Sequence, residues 1–337
     1  MSEALLYEKL GEDRVRCGLC HHYCRIEPGR RGLCGVRENR GGTLESLVYG
    51  RLIASHVDPI EKKPIFHLLP GTRSFSIATV GCNFLCRFCQ NADIAQLPKD
   101  SRQRIAGEWW TPERVVDEAL RSGCKSIAYT YTEPTVFFEF ALDCSRLAHE
   151  KGIYNIFVTN GYMSPEALEM VAPYLDAANV DLKAYSDKFY RELCGARLEP
   201  VKNTLKDMVS RGILVEVTTL VIPDANDDPN EMEDLARFLA QELGPETPWH
   251  ISRFHPTYLL TDRDRTPVET LRKAYEIGRA AGLRYVYIGN VPGSDGENTF
   301  CPGCGNIVIN RFHYNIRTNL IEGNRCAYCG EKIYGVY

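Results

Sequence analysis

Eleven of the fourteen cysteines in 337 residues fall into three groups, and this grouping constrains the chain more than any other feature. Cys17, Cys20, Cys24 and Cys34 lie near the amino terminus. Cys82, Cys86 and Cys89 form a tight triplet, and Cys301, Cys304, Cys326 and Cys329 form two pairs near the carboxyl terminus. Three singletons, Cys124, Cys144 and Cys194, read as small buried hydrophobes. Thiols held this close repel or oxidise unless a soft cation binds them, so the grouping calls for metal. A disulfide framework is not required, because a chain of this length buries a core that needs no staples.

The remaining composition narrows the setting. The opening MSEALLYEKL lacks the apolar run of a signal peptide. The stretch ILVEVTTLVI at 213–222 is too short for a membrane span and carries Glu216. A net charge of −4 disfavours a broad nucleic-acid surface. A soluble, cytoplasmic protein without membrane or nucleic-acid partners is expected.

Between the outer cysteine groups, β-rich runs alternate with helical patterns. Strands are predicted at 74–80, 126–131, 153–158, 178–182, 213–221, 249–254 and 284–288. Four helix starts pair a capping side chain with proline: Thr111-Pro112, Ser164-Pro165, Asp228-Pro229 and Thr266-Pro267. Glu231 and Glu269 stand where capping boxes place them, and Gly123, Gly152, Gly244 and Gly282 close the matching helices. Repeated units of this kind predict an α/β fold with a parallel sheet, too short to close an eightfold barrel. The expected organisation is a Cys-rich metal-binding head at 1–45, a linker at 46–70, a partial (β/α)6 TIM-like barrel at 71–292 and a zinc-ribbon or rubredoxin-like tail at 293–337.

The triplet follows the first barrel strand in ATVGCNFLCRFCQN, at the strand end where barrel enzymes keep their chemistry. Three thiolates on a [4Fe–4S] cluster leave one iron without a protein ligand, open to a small molecule. A three-thiolate zinc site completed by a distant histidine is the weaker alternative. With Phe88 before Cys89, the triplet resembles the cluster loop of radical S-adenosylmethionine enzymes. The resemblance implies that S-adenosylmethionine chelates the open iron and is cleaved by one electron to a 5′-deoxyadenosyl radical. It also implies a reductase, ferredoxin or flavodoxin as electron donor.

Other strand ends extend the resemblance. Thr132-Glu133-Pro134 stands where relatives carry a Gly-Gly-Glu motif that meets the methionyl amine, and Thr132 is also placed to cap helix 133–151. Thr159-Asn160-Gly161 and Asp181-Leu182-Lys183 look like motifs of glycyl-radical-enzyme activases, although Val158 replaces the first aspartate of that loop. Asp181 and Lys183, two apart on a strand, address one ligand or form a buried ion pair. Thr219 belongs to a segment resembling the one that flanks adenine, and His255 resembles a histidine near cofactor or substrate. Asn290 in Gly289-Asn290-Val291-Pro292 is a further candidate.

The two tail pairs, CPGCG and CAYCG, match a two-knuckle zinc pattern around the β-patterned IVINRFHYNI, with rubredoxin-like iron or an extra cluster as alternatives. The head motif, with His21 and His22 available to replace a thiolate, predicts a second closed metal site of either zinc or an auxiliary iron–sulfur cluster. RCGLCHHYC, GLCGVREN, DPIEKKPIFHLLPG and AYTYTEPT together resemble the AmmeMemoRadiSam-system radical enzymes, relatives of pyruvate formate-lyase activating enzymes. A radical enzyme acting on an unidentified small molecule or protein is expected. The rivals are a glycyl-radical activase and a metal-binding module that recruits protein or nucleic acid.

Overall fold

The computed structural model describes residues 2–291 and 293–337. Met1 of the head and Pro292, in the Gly289-Asn290-Val291-Pro292 segment, lie outside the described residues. An eight-stranded sheet organises the molecule. Its strands are β1 (Ala54–Pro59), β2 (Arg73–Ala78), β3 (Ser126–Tyr129), β4 (Tyr154–Thr159), β5 (Ala177–Asp181), β6 (Leu214–Val221), β7 (Trp249–Arg253) and β8 (Val286–Gly289). Strands β2 to β8 are parallel and follow one another across the sheet in chain order. Right-handed crossovers in such a sheet keep every connecting helix on one face.

All seven predicted strands form, which makes one more parallel strand than a six-unit count. The eighth, β1, pairs antiparallel with β2 and comes from the segment expected to be a linker. Its sequence ASHVDP lacks an alternating apolar face and carries Pro59, a residue suited to an edge strand.

Residues 60–69 of the same segment pack on one face of the sheet. Ile60, Ile65 and Leu68 pack against Ala128, Ile156, Ala177 and Leu214, one residue from each of four adjacent strands. Backbone buried there needs partners, and the strands supply them. Glu216 Oε1 accepts from the Phe66 and His67 amides at 2.8 Å each, while Asn179 Nδ2 donates to Pro64 O at 2.8 Å. Polar residues within two apolar strands are thereby explained.

The helices are α1 (Pro112–Arg121), α2 (Phe138–Glu150), α3 (Pro165–Val171), α4 (Leu198–Ser210), α5 (Pro229–Phe238) and α6 (Val268–Ala280). Thr111, Ser164 and Asp228 cap α1, α3 and α5 as expected. Thr266 does not cap α6. Its hydroxyl bridges two strand ends instead, donating to Val221 O at 2.6 Å and accepting from Phe254 N at 3.0 Å. Glu231 accepts from Tyr185 N at 2.9 Å rather than closing a capping box. Thr132 caps no helix: it donates to Thr79 O at 2.9 Å, and Glu133 takes the capping position. Among the described residues, no helix is long and apolar enough to cross a membrane.

Head and tail are both joined to this core. Arg37 is buried and paired with Glu139 of α2. In the tail, a hairpin of β9 (Ile307–Phe312) and β10 (Asn315–Asn319) is held by buried Arg311, which donates to Phe66 O at 3.0 Å and Thr299 Oγ1 at 2.7 Å.

Candidate active site and metal centres

A cavity of about 890 Å³ opens at the carboxyl ends of the parallel strands. Cys82, Cys86 and Cys89 line it, together with Thr132, Glu133, Thr159, Asn160, Asp181, Lys183, His255 and Asn290. The triplet loop leaves β2 at Gly81, whose φ of +104° and 2.6 Å clearance to Val36 Cγ1 leave no room for a side chain. The Leu85 and Arg87 amides then donate to Cys194 O and Leu193 O at 2.8 and 2.9 Å. Cys194, read as an ordinary buried residue, thus lies beside Cys86, and its thiol together with burial pushes the Cys86 thiol well up. Burial likewise raises Cys82 and Cys89. Buried neutral thiols of this kind become stable thiolates only with a bound cation.

Glu133 is a knot rather than a free carboxylate. Oε1 accepts from Thr135 N at 3.0 Å, Thr135 Oγ1 at 2.6 Å and Thr159 Oγ1 at 2.7 Å, and Oε2 accepts from Asn160 N at 2.8 Å. Only Oε2 keeps a spare lone-pair direction toward the cavity. Burial raises this carboxyl despite its four donors. Asn160 in turn donates through Nδ2 to Asn83 Oδ1 at 2.7 Å, next to Cys82.

Lys183 Nζ donates to Asp181 Oδ2 at 2.7 Å on the cavity wall. Burial pulls the lysine down, but Asp181 overcomes it and keeps it protonated. Thr219 departs from its expected place. Its neighbours Thr218 and Leu220 line the cavity, whereas Thr219 points to the other face, donating to Leu182 O at 2.9 Å and accepting from Trp249 Nε1 at 3.0 Å. Strand alternation is the reason. Thr218 Oγ1 is buried on the wall with no partner among the described residues, as expected of a group awaiting a polar ligand.

Sequence reasoning missed several wall residues. Asp58 gathers Lys62 Nζ at 2.9 Å, Lys63 Nζ at 2.6 Å and the Tyr131 hydroxyl. Lys62, Lys63 and Tyr131 all line the cavity, and DPIEKKP was the available signal. Burial pulls Lys63 down to about 8, although Asp58 opposes this. Opposite stand Arg253, His255 and Arg265, with His313 and Tyr314 from the tip of the tail hairpin. No local sequence signal places that tip near the cavity.

Three thiol sets differ in spacing. In the tail, Cys301, Cys304, Cys326 and Cys329 keep their sulfurs within 4.8 Å of one another, with Sγ···Sγ distances of 3.6 and 3.8 Å. Tetrahedral zinc with about 2.3 Å bonds needs sulfurs about 3.8 Å apart, so these residues fit a single ion. All four are free thiols. Among the described residues, neither the triplet nor the head brings three ligand atoms that close. Cys17, Cys20, Cys24 and Cys34 instead surround one small cavity. His22 lines the same cavity, with Nε2 bonded to Asn83 O at 2.8 Å, whereas His21 packs edge-on to Tyr162.

Comparison with known proteins agrees with this geometry. The chain is 48% identical over 335 residues, 99% of both chains, to the uncharacterized protein MJ0808 of Methanocaldococcus jannaschii. It is 24% identical over 177 residues to the pyruvate formate-lyase-activating enzyme of Clostridium pasteurianum, covering 50% of this chain and 70% of that one. The fold resembles Streptococcus suis SuiB, solved with S-adenosylmethionine, with a TM-score of 0.51 at 16% identity over 68% of this chain and 53% of that one. Residues 76–239 match the Radical SAM superfamily. The triplet at the first parallel strand's end, the cavity it faces and these similarities make the chain an enzyme of the radical SAM superfamily.

Proposed function

We propose that Cys82, Cys86 and Cys89 hold a [4Fe–4S] cluster, that S-adenosylmethionine binds across the strand ends, and that a hydrogen atom is taken from a substrate in the same cavity. The observation that carries this reading is the triplet itself, three soft ligands on one loop at the end of the first parallel strand, lining an open cavity of about 890 Å³. When bound, the cluster supplies the electron that cleaves the sulfonium of S-adenosylmethionine and releases the 5′-deoxyadenosyl radical.

The chain's own residues position and enclose. Glu133 fixes Thr159 and the Asn160 amide, so the ends of β3 and β4 present one rigid rim. Its spare Oε2 direction and Asp181 accept from the methionyl ammonium, while Lys183 offers a cation for the carboxylate. Arg253 and Arg265 bring further cations to the wall, where Lys62 and Lys63 are paired with Asp58 and Glu61 and Glu297 also stand, so an anionic group of the substrate is read as meeting the two arginines. The curved sheet is read as a partial barrel with the tail hairpin covering its mouth, and the tail cysteines as a structural zinc site. The setting is taken as cytoplasmic, with a ferredoxin, flavodoxin or reductase as donor.

A second reading is activation of a partner protein. Similarity to the Clostridium pasteurianum enzyme and to the benzylsuccinate synthase activating enzyme of Thauera aromatica favours it. Val158, in place of the activase aspartate, counts against it. A recruiting module without chemistry is disfavoured by membership of an enzyme superfamily.

The test is anaerobic reconstitution followed by dithionite and S-adenosylmethionine. Wild type should release 5′-deoxyadenosine and Cys86→Ala should not; equal release sinks the proposal. Transfer of deuterium into 5′-deoxyadenosine from a deuterated small-molecule extract, rather than from a protein fraction, separates the two substrate classes.

A further inference from the structure

The head cysteines surround a volume larger than one ion. Cys17, Cys20, Cys24 and Cys34 border one small cavity, with His22, Arg37 and Asn83 beside them. Yet no three of their sulfurs approach within 4.8 Å among the described residues. The tail closes four thiols to a single-ion spacing, and among the described residues neither the head nor the triplet does. That comparison rests on the cluster reading of the triplet given above.

Packing sets the gauge. Cys17 N donates to Cys24 O at 2.9 Å and Tyr23 N to Cys20 O at 3.0 Å, which pins the loop from within. Two buried donors face the cavity. Arg37 Nη1 lies 3.2 Å from Cys17 Sγ, and Arg37 is 1% exposed. Asn83 is 2% exposed and lines the same cavity, and its Nδ2 has no partner among the described residues. An N–H group left unpaired in a buried wall calls for an acceptor inside it, such as a sulfide or thiolate sulfur.

We infer that Cys17, Cys20, Cys24 and Cys34 hold a second [4Fe–4S] cluster, closed to S-adenosylmethionine because each iron has a protein thiolate. The two sites share a wall. Asn83 follows Cys82 directly and lines the head cavity, and half-buried Lys99 donates through Nζ to Phe84 O of the triplet loop at 2.9 Å. A closed cluster in that position is placed to exchange electrons with the open one.

The experiment is iron, sulfide and zinc analysis of anaerobically purified full-length chains. Wild type should hold about eight irons, and Cys82→Ala/Cys86→Ala/Cys89→Ala should keep about four, one [4Fe–4S] cluster. The dithionite-reduced triple variant should give a cluster EPR signal that added S-adenosylmethionine leaves unchanged. An iron-free triple variant with a second zinc overturns the inference, as does a signal that shifts with S-adenosylmethionine. Equal iron, about four per chain, in wild type and triple variant would uphold the head cluster and sink the triplet reading. Because the triple variant disturbs the catalytic loop, Cys20→Ala/Cys24→Ala supplies the converse: it should lose about half the iron while retaining the tail zinc. Retention of all the iron there also overturns the inference.

Discussion

Thr159 Oγ1 donates to Glu133 Oε1 at 2.7 Å, so the carboxylate that ends one strand also fixes the end of the next. Replacing it tests both roles. Glu133→Gln puts an amide N–H against donors that expect an oxygen, and an expected loss of about 2 kcal/mol in urea unfolding follows from leaving buried donors unpaired. S-adenosylmethionine affinity should fall at least tenfold in the same variant. A fully stable Glu133→Gln protein would remove Glu133 as the knot of the rim.

Two adjacent threonines should separate. Thr219→Val removes the acceptor for Trp249 Nε1 and the donor to Leu182 O, so stability drops by about 1–3 kcal/mol while cofactor affinity holds. Thr218→Val touches only the cavity wall, so stability changes little and S-adenosylmethionine binding weakens about two- to tenfold. Isothermal titration alongside thermal melts gives both readings.

His67 supplies a pH dependence. It is fully buried as the neutral ring, donating through Nδ1 to Tyr334 O at 2.6 Å and accepting at Nε2 from the Tyr287 hydroxyl at 2.7 Å. Burial pushes it from 6.5 down to about 4. Between those values the unfolded chain holds a proton that the folded chain refuses, so stability falls as pH drops from 6.5 toward 4 and is unaffected above 6.5. The loss reaches about 3 kcal/mol at pH 4. In denaturant titrations across this range, His67→Gln should show a curve flatter by about that amount.

Removal of the tail metal should be felt at a distance. Cys326→Ala breaks the four-thiol set, and one zinc per chain should vanish while iron is unchanged. Because the hairpin tip carries His313 and Tyr314 to the cavity wall, substrate-dependent turnover should fall while uncoupled 5′-deoxyadenosine release persists. Metal analysis and product quantification check this together.

The sequence showed the parts of the molecule that depend on short-range rules. Seven parallel strands, three proline-led caps and the triplet's place after the first of those strands were all legible, because each is written in a few adjacent residues. Long-range satisfaction was not. Thr266 and Thr132 look like caps in the chain, yet their hydroxyls bond to other strands. Glu216 looks like an intruder in an apolar strand until Phe66 and His67 arrive from 150 residues away. Thr219 was one position out of register, and on a strand one position changes the face. Spacing among sulfurs is the clearest case: C-x2-C patterns look alike on the page, and only the fold shows that the tail set, among the described residues, closes to within 4.8 Å.

The strip between head and sheet is, in effect, the stopper of an open vessel. Ile60, Ile65 and Leu68 seal the floor from inside, and Leu68 also pairs with Val336, near the last residue of the chain. Head, sheet and tail therefore cannot be detached and studied as modules. A version trimmed to 71–292 would let water in beneath the reaction chamber, and a radical generated there would find solvent where it should find a wall.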